Sequence, residues 1–376
     1  MKYRSFGKTG IRVSALGFGC MRFPTVEKDE KRVIDRQRAI TMLRNAIDNG
    51  VNYVDTAYPY HGGESEEVVG IALEDGYRDK VYLADKCPVW LLKKEEDFDR
   101  ILDEQLAKLK TDHIDFYLLH ALDGNRFENT VKKFHLISHM EKAKEEGKIR
   151  HLGFSFHDNL DSFKKIIDAY DGWEFCQIQY NYVDVCHQAG TEGLRYAAGK
   201  GLGVVIMEPL RGGKLADVSL HLAETFPAGK TPVEWALDFI WDQPEVSLLL
   251  SGMSAEKQVE DNLLYADRSG AGMLTEEERA VFGKAKEIFD TMALVKCTKC
   301  RYCMPCPSGL DIPGIFSIYN RVPVDGKEAA AKDYAALDVK ADACVACKRC
   351  EKACPQHINI SGEMQVIRET FEESGN

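Results

Sequence analysis

Eight short, nearly continuous apolar runs alternate with helical patterns over about the first 250 residues, and this alternation limits the fold more than any other feature. The runs lie near Val13–Gly19, Val51–Thr56, Val81–Lys86, His113–His120, His151–Ser155, Phe175–Tyr180, Val204–Met207 and Val246–Ser251. An apolar run without polar alternation is a strand covered on both faces, as in a parallel sheet. Helical patterns fall between the runs, among them Asp35–Asp48, Glu64–Leu73, Phe98–Leu109, Val131–Glu146 and Pro232–Asp242. Pro232 suits a first helical turn, with Thr231 as N-cap. Eight strand–helix units predict a TIM (β/α)8 barrel rather than an open doubly wound sheet. No GxGxxG follows the first strand, because Gly17-Phe18-Gly19 runs into Cys20-Met21-Arg22. Residues 1–12, with Gly7 and Thr9-Gly10 as turn signals, predict a short hairpin ahead of the barrel.

Three of the runs end in residues that carry chemistry. The second ends in Asp55 with Tyr60 five residues on, the third in Lys86 and the fourth in His120. Residues at the carboxyl ends of barrel strands share one mouth, where such barrels do chemistry. Together they are the parts needed to give a proton to a carbonyl oxygen while a hydride arrives. A free tyrosine has a pKa near 10 and is a poor acid at neutral pH. A neighbouring Lys86 ammonium lowers that value by stabilising the phenolate, and Asp55 keeps the buried lysine charged. His120 then donates to the carbonyl oxygen and orients it. Trp90, Phe127 and Tyr58 read either as ordinary loop packing or as a substrate wall.

The composition changes abruptly at Lys296. Cys297, Cys300, Cys303 and Cys306 are followed by Pro307; Cys344, Cys347, Cys350 and Cys354 are followed by Pro355. A helical spacer, about Gly326–Leu337, separates the two runs. CPSGLDI at 306–312 and CPQHINI at 354–360 share one form, so the tail is an internal repeat. Eight of twelve cysteines in two tight groups is ligand spacing rather than disulfide spacing. The tail resembles a bacterial-type two-cluster ferredoxin, in which the fourth cysteine of each run ligates the other run's cluster. That resemblance assigns Cys297, Cys300, Cys303 and Cys354 to one 4Fe-4S cluster, and Cys344, Cys347, Cys350 and Cys306 to the second. The first run has two residues, not three, before its last cysteine. A pair of zinc sites is the alternative. Cys20, Cys87, Cys176 and Cys186 read as small core or strand-end residues.

The barrel region resembles the aldo-keto reductase family over roughly residues 1–290. The resemblance rests on the Asp55, Tyr60, Lys86, His120 tetrad and the opening Gly7–Gly19 pattern. It extends to DTAxxY (Asp55–Tyr60), Gly62 with Glu64, LLH (Leu118–His120), GxS (Gly153–Ser155), QxxYN (Gln177–Asn181) and GxSxxxQxxxN (Gly252–Asn262). It implies NADP or NAD across the barrel mouth. Ser155 and Gln179 would hold the carboxamide, with Met207 at the nicotinamide-stacking position. Pro209, Leu210 and Gly212, with Gly252, Ser254, Gln258 and Asn262, would hold the pyrophosphate and adenosine. Phe156, Met207 and Glu208 depart from the family pattern.

The expected architecture is therefore a barrel over 1–290 and a small, mainly helical 4Fe-4S domain over 291–376. The expected function is carbonyl reduction or alcohol oxidation with nicotinamide, coupled to one-electron transfer through the clusters. The substrate would be a small carbonyl or alcohol, and a ferredoxin or flavodoxin the electron partner. The alternative is an electron-transfer or redox-sensing protein whose barrel is a docking module. A net charge of −11 argues against nucleic acid or an anionic membrane as partner. No apolar run spans a bilayer and the first residues lack a signal-peptide core, so a cytoplasmic location is expected.

Overall fold

The eight apolar runs close into one ring of parallel strands in the computed structural model, which describes residues 1–29 and 31–372. The strands are β1 (Leu16–Gly19), β2 (Tyr53–Asp55), β3 (Tyr82–Cys87), β4 (Ile114–Leu122), β5 (Ile149–Phe156), β6 (Phe175–Gln179), β7 (Gly203–Met207) and β8 (Leu248–Gly252). Each pairs with its neighbour in sequence, and β8 returns to β1 through Leu249↔Leu16 and Gly252↔Gly19. Parallel pairing points every strand's carboxyl end to the same mouth.

Inside the barrel, aromatic and branched side chains fill the lumen. Tyr53, Phe116, Phe175, Val205 and Leu248 pack together, so the ring is a core rather than a pore. Phe6 joins them from outside the ring, with its centroid 4.5 Å from that of Phe116 and 5.6 Å from that of Phe175. The predicted hairpin delivers it: Tyr3–Ser5 pairs antiparallel with Arg12–Ser14. Gly7, next in the chain, has φ +53°, and a Cβ there would lie 2.3 Å from the Gly203 amide nitrogen. Only glycine meets both conditions.

Two features differ from the sequence expectation. A second hairpin, Thr25–Lys28 with Lys31–Ile34, follows β1. Its strands are mostly exposed and charged, so they carry no apolar signature. The helix expected over Val131–Glu146 begins only at Leu136, because residues 127–132 form a wider turn. Of the four isolated cysteines, Cys20, Cys87 and Cys176 are buried, but Cys186 is exposed in a loop.

The chain forms two compact units: Met1–Pro209 with Ala236–Thr275, and Leu210–Trp235 with the chain from Glu276 onward. The sequence boundary at 290 falls inside the helix Glu276–Met292, which groups with the second unit. That unit has its own apolar core, including Val295, Ile312, Ile315, Phe316, Ile360, Met364 and Ile367. The repeat explains its layout. Asp311 and Asn359 are equivalent residues, and each is the N-cap position of a helix, Ile312–Tyr319 and Ile360–Phe371. No helix among the described residues is long and apolar enough to cross a membrane.

Gly7→Ala is expected to destabilise the barrel by about 1–3 kcal/mol, through overpacking against Gly203 and an unfavourable φ. A lowered urea midpoint with an unchanged denaturant slope is the readout.

Candidate active site and metal centre

β2 ends at Asp55 and β3 carries Lys86 one residue before its end, so both side chains rise at the mouth. Lys86 Nζ donates to Asp55 Oδ1 (2.7 Å), Asp55 Oδ2 (2.8 Å) and the Thr56 carbonyl (2.6 Å). The lysine side chain is 0% exposed and the aspartate 3%, so the pair is desolvated. Burial raises the Asp55 carboxyl above its ordinary value, and the Lys86 ammonium pulls against it. Tyr60 lies in a short turn after β2 and is buried. Lys86 Nζ is 5.0 Å from its ring centroid.

His120 completes the group from β4. Its ring meets that of Tyr60 edge-on at 6.1 Å. Here β4 is irregular: its register with β5 shifts between Leu119 and Leu122, and Ala121 has φ +53°. A bulge re-aims a side chain beside a site. The Ala121 amide donates to Ser155 Oγ (2.7 Å), which holds the irregularity in place. Burial first, then the charges of Lys86, His157 and Arg126, depress the His120 imidazole well below its ordinary value. It is therefore a neutral ring at neutral pH.

Trp90 lies beside His120: its ring is 5.0 Å from the imidazole, it is partly exposed, and the Arg126 guanidinium sits 5.5 Å from it. Tyr58 and Phe127 are packing residues. Tyr58 donates to Glu104 (3.0 Å), and Phe127 is buried.

Sequence reading missed a buried network behind Lys86. Asp85 accepts from the Lys86 amide (2.8 Å) and from Gln105 Nε2 (2.7 Å). Gln105 Nε2 also donates to Glu66 (3.1 Å), and its carbonyl accepts from the Tyr117 hydroxyl (2.6 Å). Glu66 is closed by Lys108 at 2.7 Å. Burial, with the adjacent Glu66, pushes the Asp85 carboxyl well up. The one cue in the sequence was a second acidic residue directly beside Lys86.

The residues expected to hold a dinucleotide are distributed as follows. Ser155, Gln179, Met207 and Gly252 stand at the carboxyl ends of β5, β6, β7 and β8. Gln179 Nε2 donates to Asp184 (2.8 Å). Gln177, two residues earlier, has a buried carbonyl oxygen without a partner among the described residues. The Ser254 amide donates to Gln258 (2.8 Å) and its hydroxyl to the Arg22 carbonyl (2.7 Å), just before the helix Glu256–Asp267. Asn262 donates to Ser251 (3.0 Å). Pro209 closes the first stretch of the barrel unit, whereas Leu210 and Gly212 group with the second unit. In that unit the half-buried Lys214 donates to the Val295 carbonyl (3.4 Å). Burial, then Arg211, lower its ammonium to about 8, against the pull of Cys297.

Two cavities open in the second unit. Cys297, Cys300, Cys303 and Cys354 line one; Cys306, Cys344, Cys347 and Cys350 line the other. Each cavity thus takes three cysteines from one run and its fourth from the other. Ile312 and Ile360, the closing residues of the two repeat motifs, line both cavities and form a shared wall. Among the described residues, no three His, Cys, Asp or Glu side chains converge as they would on one ion. Thiols arranged around a cavity suit a cluster, which is larger than one ion.

Residues 15–269 match the aldo/keto reductase family, and residues 296–359 match a 4Fe-4S dicluster domain. The chain belongs to the aldo/keto reductase family. It is an oxidoreductase of that family carrying a 4Fe-4S domain. Over 294 residues the reductase is 29% identical to L-galactose dehydrogenase of Arabidopsis thaliana, covering 70% of this chain and 87% of that one. A solved aldo-keto reductase from Bacillus halodurans in its holo form superposes with a TM-score of 0.64 at 26% identity, covering 76% of this chain and 96% of that one. An aldo/keto reductase from Klebsiella pneumoniae in complex with NADP and acetate gives 0.61 at 28%, covering 75% and 94%.

His120 also makes the reductase's stability depend on pH. The unfolded chain protonates this imidazole near about pH 6.5, the folded chain only well below. Its contribution is complete above about pH 6.5 and is lost at up to about 1.4 kcal/mol per unit as pH falls toward the folded value. Urea midpoints measured down to pH 5.5 should fall more steeply for the native chain than for His120→Gln.

Proposed function

We propose that the barrel moves a hydride between NADP or NAD and a small carbonyl or alcohol, and that two clusters in the tail exchange single electrons with that reaction or with a protein partner. The observation that carries this reading is the desolvated Lys86–Asp55 pair against the Tyr60 ring, beside a neutral His120. When bound, the nicotinamide supplies or accepts the hydride. Tyr60 gives its hydroxyl proton to the carbonyl oxygen in reduction and recovers it in oxidation. The Lys86 ammonium stabilises the phenolate left behind, and Asp55 keeps that ammonium charged. Neutral His120 donates to the same oxygen and orients it. Trp90 shields the reacting atoms from water on the His120 side.

The fit to a dinucleotide is supported by the buried, unspent Gln177 oxygen, which would accept from the carboxamide, and by Ser155 beside it in the sheet at Gln177↔Ser155. Gln179, turned to Asp184, would shape that pocket from behind. Ser254 and Gln258, beside the amino end of the helix Glu256–Asp267, would receive phosphate oxygens. In the tail, Cys297, Cys300, Cys303 and Cys354 would hold one cluster and Cys344, Cys347, Cys350 and Cys306 the other. Bound clusters supply one-electron steps, and the common Ile312–Ile360 wall supports passage between them.

Tyr60→Phe should lower turnover of small aldehydes and ketones by roughly 10²–10⁴-fold, with cluster absorbance retained. Steady-state assays with NADH and NADPH test this, and undiminished turnover would favour the docking-module alternative. The crossed ligand sets predict a further contrast. Cys300→Ala/Cys354→Ala removes two ligands from one site and should keep one cluster's iron and sulfide. Cys300→Ala/Cys306→Ala damages both sites and should keep neither. Iron and sulfide analysis after anaerobic purification separates the two outcomes.

A further inference from the structure

The two cysteine cavities face different surroundings. Around the first, Cys297, Cys300, Cys303 and Cys354 are all half-buried, and Thr298, Ile312 and Ile360 are buried. Its nearby cations are largely taken up: Arg301 pairs with Asp311 (3.3 Å) and Lys296 with Asp290 (3.7 Å), leaving Lys299 without an ion pair among the described residues. The rim of the second cavity is more exposed. Five consecutive residues, Val345 to Arg349, are exposed. They include Cys347, the exposed member of the eight tail cysteines. Val345, on the cavity rim, is 72% exposed.

The charge on this rim is equally distinct. Lys348, Arg349 and Lys352 are exposed and form no ion pair among the described residues. Glu351, the acid among them, is turned to Ser361, accepting from its hydroxyl (2.5 Å) and its amide (2.9 Å). The stretch from Lys340 to Lys352 holds four cations against two carboxylates, Asp342 and Glu351, in a chain of net charge −11. A local cationic patch on an acidic protein steers an acidic partner to one place, because the rest of the surface repels it.

We infer that the second cavity is the tail's electron port, and that an acidic one-electron carrier protein of the ferredoxin or flavodoxin class docks on Val345–Arg349 and Lys352. The inference rests on the reading that Cys306, Cys344, Cys347 and Cys350 hold a cluster. In one encounter the reduced carrier gives up one electron and the cluster takes it; no bond or proton changes hands. Val345 supplies an apolar contact, and Lys348, Arg349 and Lys352 supply the charge. Cys347, the exposed residue of the four, is the way in on this reading.

Stopped-flow reduction of the anaerobically purified full chain tests the port, with a reduced acidic ferredoxin as probe and dithionite as the small-molecule control. Lys348→Glu/Arg349→Glu/Lys352→Glu should slow reduction by ferredoxin at low salt by about tenfold or more and abolish its salt dependence. The dithionite rate and the iron content should not change. The neutral variant Lys348→Gln/Arg349→Gln/Lys352→Gln should fall between, which guards against a charge-reversed chain that folds poorly. Lys299→Glu, at the first cavity, should leave the ferredoxin rate unaltered. Equal ferredoxin rates in the native chain and both triple variants, or slowing only in Lys299→Glu, overturn the port while leaving the clusters in place. A native chain without two clusters' iron and sulfide overturns the port together with the reading beneath it.

Discussion

A lysine ammonium and an aspartate carboxylate lie together at the mouth of the barrel with almost no contact with water. Removing two such charges from solvent costs several kcal/mol each, so the pair persists only where geometry offsets the loss. Here three short hydrogen bonds from Lys86 Nζ do so, two to one carboxylate and one to the Thr56 carbonyl. That geometry needs β2 and β3 to be adjacent and in register, which Asp55↔Ala84 pairing fixes. It also needs Lys86 not to swing, and the Asp85–Gln105–Glu66 network ties down its backbone from behind. Burial, and after it the same ammonium, depress the His120 imidazole.

The second unit is organised by a different constraint, the need to gather eight thiols on a short chain. A motif used twice meets it. Each C-P segment turns the chain into an N-cap residue and a helix, and the isoleucine that opens each helix faces both cavities. The apolar core between the helices then fixes the distance between the cavities.

Much of this was legible in the sequence, for physical reasons that also mark where legibility ended. Strands buried on both faces leave continuous apolar runs, so all eight barrel strands could be read off, and with them the residues at their ends. The resemblance of the tail to a two-cluster ferredoxin implied crossed cysteine sets, and each cavity is lined by one such set. The hairpin Thr25–Lys28/Lys31–Ile34 stayed hidden because exposed strands need no apolar pattern. Gln177 and Gln179 lie on the same side of β6 by the alternation of strand side chains. Only contacts separate them: one amide is spent on Asp184, and the other keeps a buried oxygen without a partner among the described residues. The network behind Lys86 joins residues from four elements, and Asp85 beside that lysine is its one local cue.

The interleaving of the cavities has a bearing on biosynthesis. A nascent chain leaves the ribosome amino end first, and its early parts can fold before later ones exist. The barrel strands obey that order, each finding its neighbour soon after it emerges. The thiol cages cannot. Cys297, Cys300 and Cys303 wait for Cys354, and Cys306 waits for the run that begins at Cys344, so both cages become complete within a few residues of each other. Loading with iron and sulfide would thus wait for the second cysteine run to emerge, after the barrel strands are made.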